Sequence, residues 1–190
     1  WKTIGNVQEL LVDQRPVCIE YCSGNGHWIC DQAAQRTEMQ WIAVERQFAC
    51  VRKIFSKKIN RGLDNLLIVC GKAEEFTRRY LPASSVQEAY IHFPDPYPKK
   101  RHRKHRLLTF PFLHDLQAAL IPESRLVVVT DHLDYGETLL DVVDQVPQLA
   151  CTLPQPHYLE KAGYGNSTFE QLWKRLGRTL YYFEFQKCIN

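Results

Sequence analysis

The stretch His92-Phe93-Pro94-Asp95-Pro96-Tyr97-Pro98-Lys99-Lys100-Arg101-His102-Arg103-Lys104-His105-Arg106 sets one carboxylate between two prolines and follows it with eight consecutive basic-type residues. Proline fixes its own φ and biases the preceding residue toward extended backbone, so Asp95 is held in a defined direction beside a dense positive surface. That pairing suits chemistry performed on a polyanion. Six of the chain's 24 Lys and Arg lie in this run, and without them 18 basic residues face 21 acidic ones, turning a net charge of +3 into −3. The basicity is therefore one patch. Lys and Arg that neutralise phosphates dominate affinity for nucleic acids and make it salt-dependent. A solvated charge run or a localisation tag is the bland alternative. Against it, the run directly follows a predicted strand and leads into an apolar helix rather than a tail. Asp beside Pro is common in turns, yet its place at a strand end, its caging and its basic neighbours together point to a functional carboxylate. Tyr97 could stack on a base or pack against the prolines.

A second constellation lies upstream. Glu20-Tyr21-Cys22-Ser23-Gly24-Asn25-Gly26 follows a predicted strand and precedes a predicted helix. Glycines there permit a sharp turn and close approach of a ligand to the backbone, at the sheet edge where doubly wound folds bind cofactors. A dinucleotide fingerprint requires a third glycine near position 29, and Ile29 stands there, which disfavours a nicotinamide cofactor. Glu45 ends the next predicted strand 21 positions after Gly24. That is close to the offset of about 20 at which an acid meets a ribose diol in nucleotide-binding α/β domains.

These groups need a scaffold that brings strand ends together. Short apolar runs at 17–22, 41–45, 66–70, 89–93 and 125–130 read as strands, and segments at 26–36, 47–61, 73–80 and 107–120 as helices. A further helix is predicted over 135–146, where Leu139, Leu140, Val143 and Val146 recur at three- and four-residue steps. The alternation predicts an α/β domain around a mostly parallel sheet, with right-handed crossovers. Beyond Val146 the prolines 147, 154 and 156 and the Gly163-Tyr164-Gly165-Asn166 run predict irregular chain. A short helix near 168–176 and a β-prone run at 179–185 close the pattern, the latter as a final antiparallel strand or hairpin. One domain over 1–190 is the simplest organisation.

Composition narrows the classes. With 45% hydrophobic and 12% aromatic residues in 190, the chain has ample material for a core. No apolar run approaches the roughly 20 residues of a membrane span, and the first residues resemble no secretory signal. A soluble cytoplasmic protein is expected. Seven cysteines, an odd number without a Cys-x-x-Cys pair, read as buried free thiols, and their spacing with the histidines matches no common metal-ligand pattern.

The block at 93–106 closely resembles the signature of the tRNA (guanine-N7-)-methyltransferase family of bacterial type, Phe-Pro-Asp-Pro-Trp-x-Lys-x-Arg-His-x-Lys-Arg-Arg, with Tyr97 in place of Trp. The glycine loop, Glu45, Asp131 after Val127-Val128-Val129-Thr130, and Ser167-Thr168-Phe169-Glu170 follow in the family's order, so the resemblance spans about 17–185. It implies a Rossmann-like class I methyltransferase fold: a mostly parallel seven-stranded sheet with an antiparallel last strand and helices on both faces. It further implies methyl transfer from S-adenosylmethionine to N7 of a variable-loop guanine, position 46, of tRNA. By resemblance Asp95 is catalytic, and Glu20, Ser23, Gly24, Gly26, Glu45, Lys72, Ala73 and Asp95 line the cofactor site. Lys99, Asp131, Ser167, Thr168, Phe169 and Glu170 would contact the guanosine or tRNA, and Lys100, Arg101, Arg103, Lys104 and Arg106 the tRNA backbone. No metal or membrane partner is expected, and the chain would act as a monomer or homodimer. Two positions depart from the family: Cys22 replaces the first loop glycine, and Lys72 replaces an acidic or amide residue that meets adenine, shifting that contact toward backbone or toward Ala73 and Glu74. Two rival classes remain. Amino-group methyltransferases use an Asp-Pro-Pro-Tyr-like motif, from which Asp95-Pro96-Tyr97 differs, and a non-catalytic RNA-binding scaffold need not bind the cofactor.

Overall fold

The computed structural model describes Val7, residues 14–159 and residues 168–189. Strands β1 (Val17–Tyr21), β2 (Gln40–Glu45), β3 (Leu66–Cys70), β4 (Val86–His92) and β5 (Leu120–Thr130) alternate with helices α1 (His27–Gln35), α2 (Phe48–Arg61), α3 (Ala73–Tyr80) and α4 (Phe110–Ala119). Then come α5 (Leu133–Val143), β6 (Leu149–Cys151), α6 (Thr168–Arg175) and β7 (Tyr181–Lys187). The strands form one seven-stranded sheet of order β3-β2-β1-β4-β5-β7-β6. Its first five strands pair in parallel, and β7 runs antiparallel between β5 and β6. This is the doubly wound, class I methyltransferase architecture that the resemblance implies.

Side chains alternate across each strand, so one strand feeds two cores. From β1, Val17, Ile19 and Tyr21 enter a cluster with Phe76 of α3, Phe112, Leu113 and Leu116 of α4, and Tyr135 and Leu139 of α5. Cys18 of the same strand enters the opposite cluster with Trp28 and Ile29 of α1, Ile54 of α2, Trp41, Tyr90 and Tyr182. Helices therefore cover both faces, and β1 and β2 are buried along their whole length, as expected of central parallel strands. The chain steps from β1 outward to β2 and β3, then returns to β4 on β1's other side. Register pairs Tyr21 with Ile91, so the loops after β1 and β4 emerge side by side. Between such diverging loops doubly wound folds open their ligand crevice.

Several boundaries differ from the sequence expectation for local reasons. The predicted helix over 107–120 begins only at Phe110, with Thr109 as its extended N-cap and a proline in the first turn. Residues 100–105, read as part of a basic surface run, form a 3-10 helix. The backbone N–H of Leu108 instead bonds the buried Tyr135 Oη at 3.0 Å. β6, in the stretch expected to be irregular, is a three-residue strand held by pairing with β7. The cysteines are free, but Cys70, Cys151 and Cys188 are exposed, contrary to the expectation of buried thiols. For Cys70 the reason is topological: β3 is the sheet's edge, covered on fewer sides than β1 or β2. Among the described residues no helix is long and apolar enough to cross a membrane, and no group of His, Cys, Asp and Glu is placed to hold a metal.

At the sheet end away from the crevice, Glu88 of β4 accepts hydrogen bonds from Arg36 at 2.7 Å and from Tyr90 Oη at 2.6 Å, and Arg125 donates to that same Tyr90 oxygen at 2.9 Å. Burial alone would raise the Glu88 carboxyl, but the Arg36 and Tyr90 bonds with the two arginine charges outweigh it and hold the pKa below the ordinary value. With the folded value depressed, the pair's stabilisation is complete above an unfolded pKa of about 4.3 and is lost as pH falls through the folded value. Glu88→Gln is expected to lower stability at pH 7 by roughly 1–3 kcal/mol. Thermal unfolding should show the variant's deficit shrinking as pH is taken below about 4.

Candidate active site

Four strand ends meet at the crevice. β1 delivers Glu20 and the loop Cys22 to Gly26, β2 delivers Glu45, β4 delivers His92 and the Pro94-Asp95-Pro96 turn, and β5 delivers Asp131. Glu20 is buried, and its Oε1 lies 2.7 Å from His92 Nδ1, joining the two central strands. The ring of His92 packs edge-on against Trp28 with centroids 4.5 Å apart.

The glycine loop is built by its own hydrogen bonds. Ser23 Oγ donates to the Glu20 carbonyl at 2.9 Å, and Gly26 N donates to the Ser23 carbonyl at 2.8 Å. Gly24 and Gly26 adopt left-handed φ of 51° and 72°. A Cβ on Gly26 would come within 2.7 Å of Ile54 Cγ1, and Ile54 is fully buried. Gly26→Ala combines a left-handed side-chain penalty with overpacking, and is expected to cost about 2 kcal/mol or more. A fall in thermal midpoint, with weaker cofactor binding by calorimetry, checks it.

Glu45 completes the loop rather than merely facing it. Its Oε2 accepts from Gly24 N at 2.8 Å and its Oε1 from Gln47 N at 2.7 Å. A carboxylate offers about four acceptor sites, so each oxygen keeps capacity for a hydroxyl. Gly71 N donates to the Glu45 carbonyl at 3.0 Å, drawing the β3–α3 turn alongside. There Lys72 is the exposed N-cap of α3 and Ala73 its first residue.

Cys22 opens the loop directly after β1 and is half-buried. Burial, and then the charges of Glu45, Asp95 and Glu20, push its thiol pKa well up. Cys22 itself has φ 59°, a conformation glycine adopts freely and a side chain adopts at about 1–2 kcal/mol. Phe93 and Tyr97, at φ 47° and 40°, continue this concentration of left-handed backbone around the site.

The residues present fit the cofactor that the resemblance implies. Glu20 Oε2 is buried without a hydrogen-bond partner among the described residues, an acceptor suited to an ammonium group, while Glu45 suits a ribose diol and the glycine backbone a close-packed ligand.

The downstream residues divide. Lys99, Lys100, Arg101, Arg103 and Lys104 are exposed. Among the described residues no carboxylate pairs with Lys99, Lys100, Arg101 or Lys104, whereas Arg103 bonds Asp134 at 2.8 Å. Arg106 departs from the sequence reading: it is buried, its guanidinium donates to the Pro96 carbonyl, Thr138 and Asp134, and it lies over the Tyr135 ring. It ties the basic segment to α5 and is not offered to a tRNA backbone. The cause is Asp134, in the first turn of α5, which the sequence reading did not single out.

Asp131 stands at the end of β5, paired with Arg178, whose guanidinium stacks 3.9 Å from the Trp173 ring centroid. Ser167 lies outside the described residues, and Thr168 and Phe169 open α6. Glu170 is also a correction: it is buried and accepts from Tyr182 Oη at 2.7 Å and Lys174 Nζ at 2.8 Å, fastening α6 to β7 rather than facing a substrate. Arg46 was missed altogether, although its place directly after Glu45 on a strand end was a readable signal. Its Nη2 donates to Asp95 Oδ2 at 2.5 Å.

Comparison with known proteins identifies the family. The family model described as "Putative methyltransferase" matches residues 14–183. A tRNA (guanine-N(7)-)-methyltransferase of Chlamydia trachomatis is 42% identical over 184 residues, 96% of this chain and 81% of that one. One of Rubrobacter xylanophilus is 31% identical over 178 residues, 93% of this chain and 78% of that one. The crystal structure of the aminoglycoside resistance methyltransferase NpmB1 superposes with a TM-score of 0.65 at 19% identity, covering 95% of this chain and 91% of that one, a likeness of fold. The chain belongs to the tRNA (guanine-N(7)-)-methyltransferase family of S-adenosylmethionine-dependent methyltransferases.

Proposed function

We propose that the protein transfers a methyl group from S-adenosylmethionine to N7 of guanine 46 in the variable loop of tRNA, as one domain over residues 1–190 acting in the cytoplasm as a monomer or homodimer. The observation that carries this reading is the convergence at the β1–β4 crevice of Glu20, held to His92 of β4, Glu45, bonded to the Gly24 backbone of the loop after β1, and Asp95, bonded to Arg46 beside Glu45, directly upstream of exposed cations that have no carboxylate partner among the described residues. Bound S-adenosylmethionine supplies an electrophilic methyl group. Glu20 and Glu45 hold the cofactor with the backbone of Ser23, Gly24 and Gly26, and Lys72 and Ala73 bound its far side.

Guanine N7 has a free lone pair at neutral pH, so no residue here has to remove a proton. Catalysis then rests on placement, which is worth several kcal/mol when reacting atoms are held near contact. Asp95 orients the base and favours the positive charge that N7-methylation leaves on it. Asp131, shared with Arg178, accepts hydrogen bonds from the guanine's Watson–Crick edge. Lys99 and the Ser167, Thr168 and Phe169 segment add guanosine or tRNA contacts, and Lys100, Arg101, Arg103 and Lys104 hold the backbone.

The test is transfer from labelled S-adenosylmethionine to unmodified tRNA, with nucleoside analysis and mapping of the modified position. The expected product is 7-methylguanosine at position 46, lost when that guanine is replaced by adenine. A methylated adenine or cytosine would overturn the reading, as would transfer that survives the replacement.

A further inference from the structure

Gly177, in left-handed backbone at φ 68°, ends α6 and turns the chain back along it. Its N–H bonds the Lys174 carbonyl at 3.0 Å, and the N–H of Arg178 bonds the Trp173 carbonyl at 2.9 Å, the pair of bonds that closes many helices. Arg178 is thereby laid on Trp173, its guanidinium carbon 3.9 Å from the ring centroid. Nη1 of the same guanidinium donates to Asp131 Oδ2 at the end of β5. α6 is itself fastened to β7, because the buried Glu170 bonds both Lys174 and Tyr182. Trp173 packs on the same sheet face as Phe93, and Phe93 N donates to the Val129 carbonyl at 2.8 Å. Asp131 thus stands one strand away from the Asp95 turn.

Helix closure explains why Arg178 lies on Trp173. It does not explain why the charge is directed at Asp131, whose side chain is only 13% exposed. A guanidinium is a planar fork of N–H groups on one carbon. The Watson–Crick edge of guanine presents the same fork, N1–H and the N2 amino group joined through C2. Both groups stack on aromatic faces, and both offer side-by-side donors to a carboxylate. No other standard RNA base presents two adjacent donors there.

We propose that the Trp173 face, with Asp131 at its edge, seats the target guanine, and that Arg178 fills this seat in the free protein and yields it to the base. This rests on the reading of Asp131 given above and adds to it the stacking surface. Asp131 is then shared by Arg178 and guanine in turn. The competing role is a fixed one, in which Arg178 stays on Asp131 and orients it.

Two measurements on Trp173→Leu, Trp173→Phe, Arg178→Ala and Asp131→Asn decide the matter: steady-state transfer to unmodified tRNA, and its inhibition by 7-methylguanosine, a product fragment without phosphate. Loss of one stacking face is expected to lower kcat/KM for tRNA by about 5–50-fold in Trp173→Leu and to weaken nucleoside inhibition by a similar factor. Trp173→Phe, which keeps an aromatic face, should recover most of this. In Arg178→Ala the nucleoside should bind about threefold or more tightly, because the seat no longer has to be vacated. Equal or weaker nucleoside inhibition in Arg178→Ala, or wild-type kcat/KM in Trp173→Leu, would each overturn the proposal. Asp131→Asn separates the causes. If it keeps kcat/KM, the Asp131 reading fails and takes this inference with it; if it loses activity while Trp173→Leu does not, this inference alone fails. Should the thermal midpoint show that Trp173→Leu does not fold, Arg178→Ala, at an exposed position, decides alone through the nucleoside.

Discussion

Asp95→Ala is expected to reduce single-turnover methyl transfer by at least about 100-fold, equivalent to about 2.7 kcal/mol of transition-state stabilisation, while tRNA affinity changes by less than about threefold. The asymmetry follows from what the carboxylate faces. Asp95 is exposed at the crevice mouth and bonded to Arg46, so its removal takes away no phosphate contact and, against a polyanion, removes a repulsive charge. The loss falls instead on the step in which guanine becomes cationic. Asp95→Asn divides the role: it keeps an acceptor of the same shape but no charge, and should fall between wild type and alanine if both orientation and charge contribute. Rapid-mixing transfer assays paired with filter binding provide both numbers. Unchanged turnover in Asp95→Ala would remove Asp95 from the catalytic machinery.

The second large effect is expected in binding. Neutralising Lys99, Lys100 and Arg101 together should weaken tRNA binding on the order of 100-fold at 50 mM salt and leave turnover at saturating tRNA nearly intact. Each phosphate contact contributes about 0.7–0.9 to the slope of log K against log salt, so loss of three should flatten the slope by about 2–3. Variant and wild type should converge at high salt. The choice of these residues is structural, since all three are exposed and none has a carboxylate partner among the described residues. Arg103 is exposed but shares its charge with Asp134, so its removal would mix two effects, and Arg106 is buried against the same carboxylate. Arg106→Ala should accordingly act on stability, with little change in salt slope. Equal slopes in the triple variant and wild type would move the tRNA track to another surface.

The two results would probe halves of one turn. Pro94-Asp95-Pro96 points a carboxylate into the crevice, and the chain then leaves along the surface as a 3-10 helix of cations. Chemistry and affinity are thus adjacent in sequence and separated in direction, which is why their variants should separate kcat from Kd.

Much of this was legible in the residues. Period and composition identified the helices between strands and the first four strands to within about three residues, because central parallel strands must be continuously apolar and their crossover helices amphipathic; β5 was expected over 125–130 and begins five residues earlier, at Leu120. The Phe-Pro-Asp-Pro block, the glycine loop and Glu45 carried the site, since only certain residue types tolerate left-handed turns or accept hydroxyl and ammonium donors. What the sequence alone determined was the set of strand-end groups and the class of chemistry they suit. What only the tertiary structure decided was which of them are free to act. A charge reads the same in sequence whether it faces solvent or a partner: Arg106 is spent on Asp134, 28 residues away, Glu170 on Tyr182, and Arg46 is drawn to Asp95 across 49 residues. Those pairings depend on strand order, and strand order is settled by burying both faces of one sheet at once, a property of the whole chain that no local pattern contains.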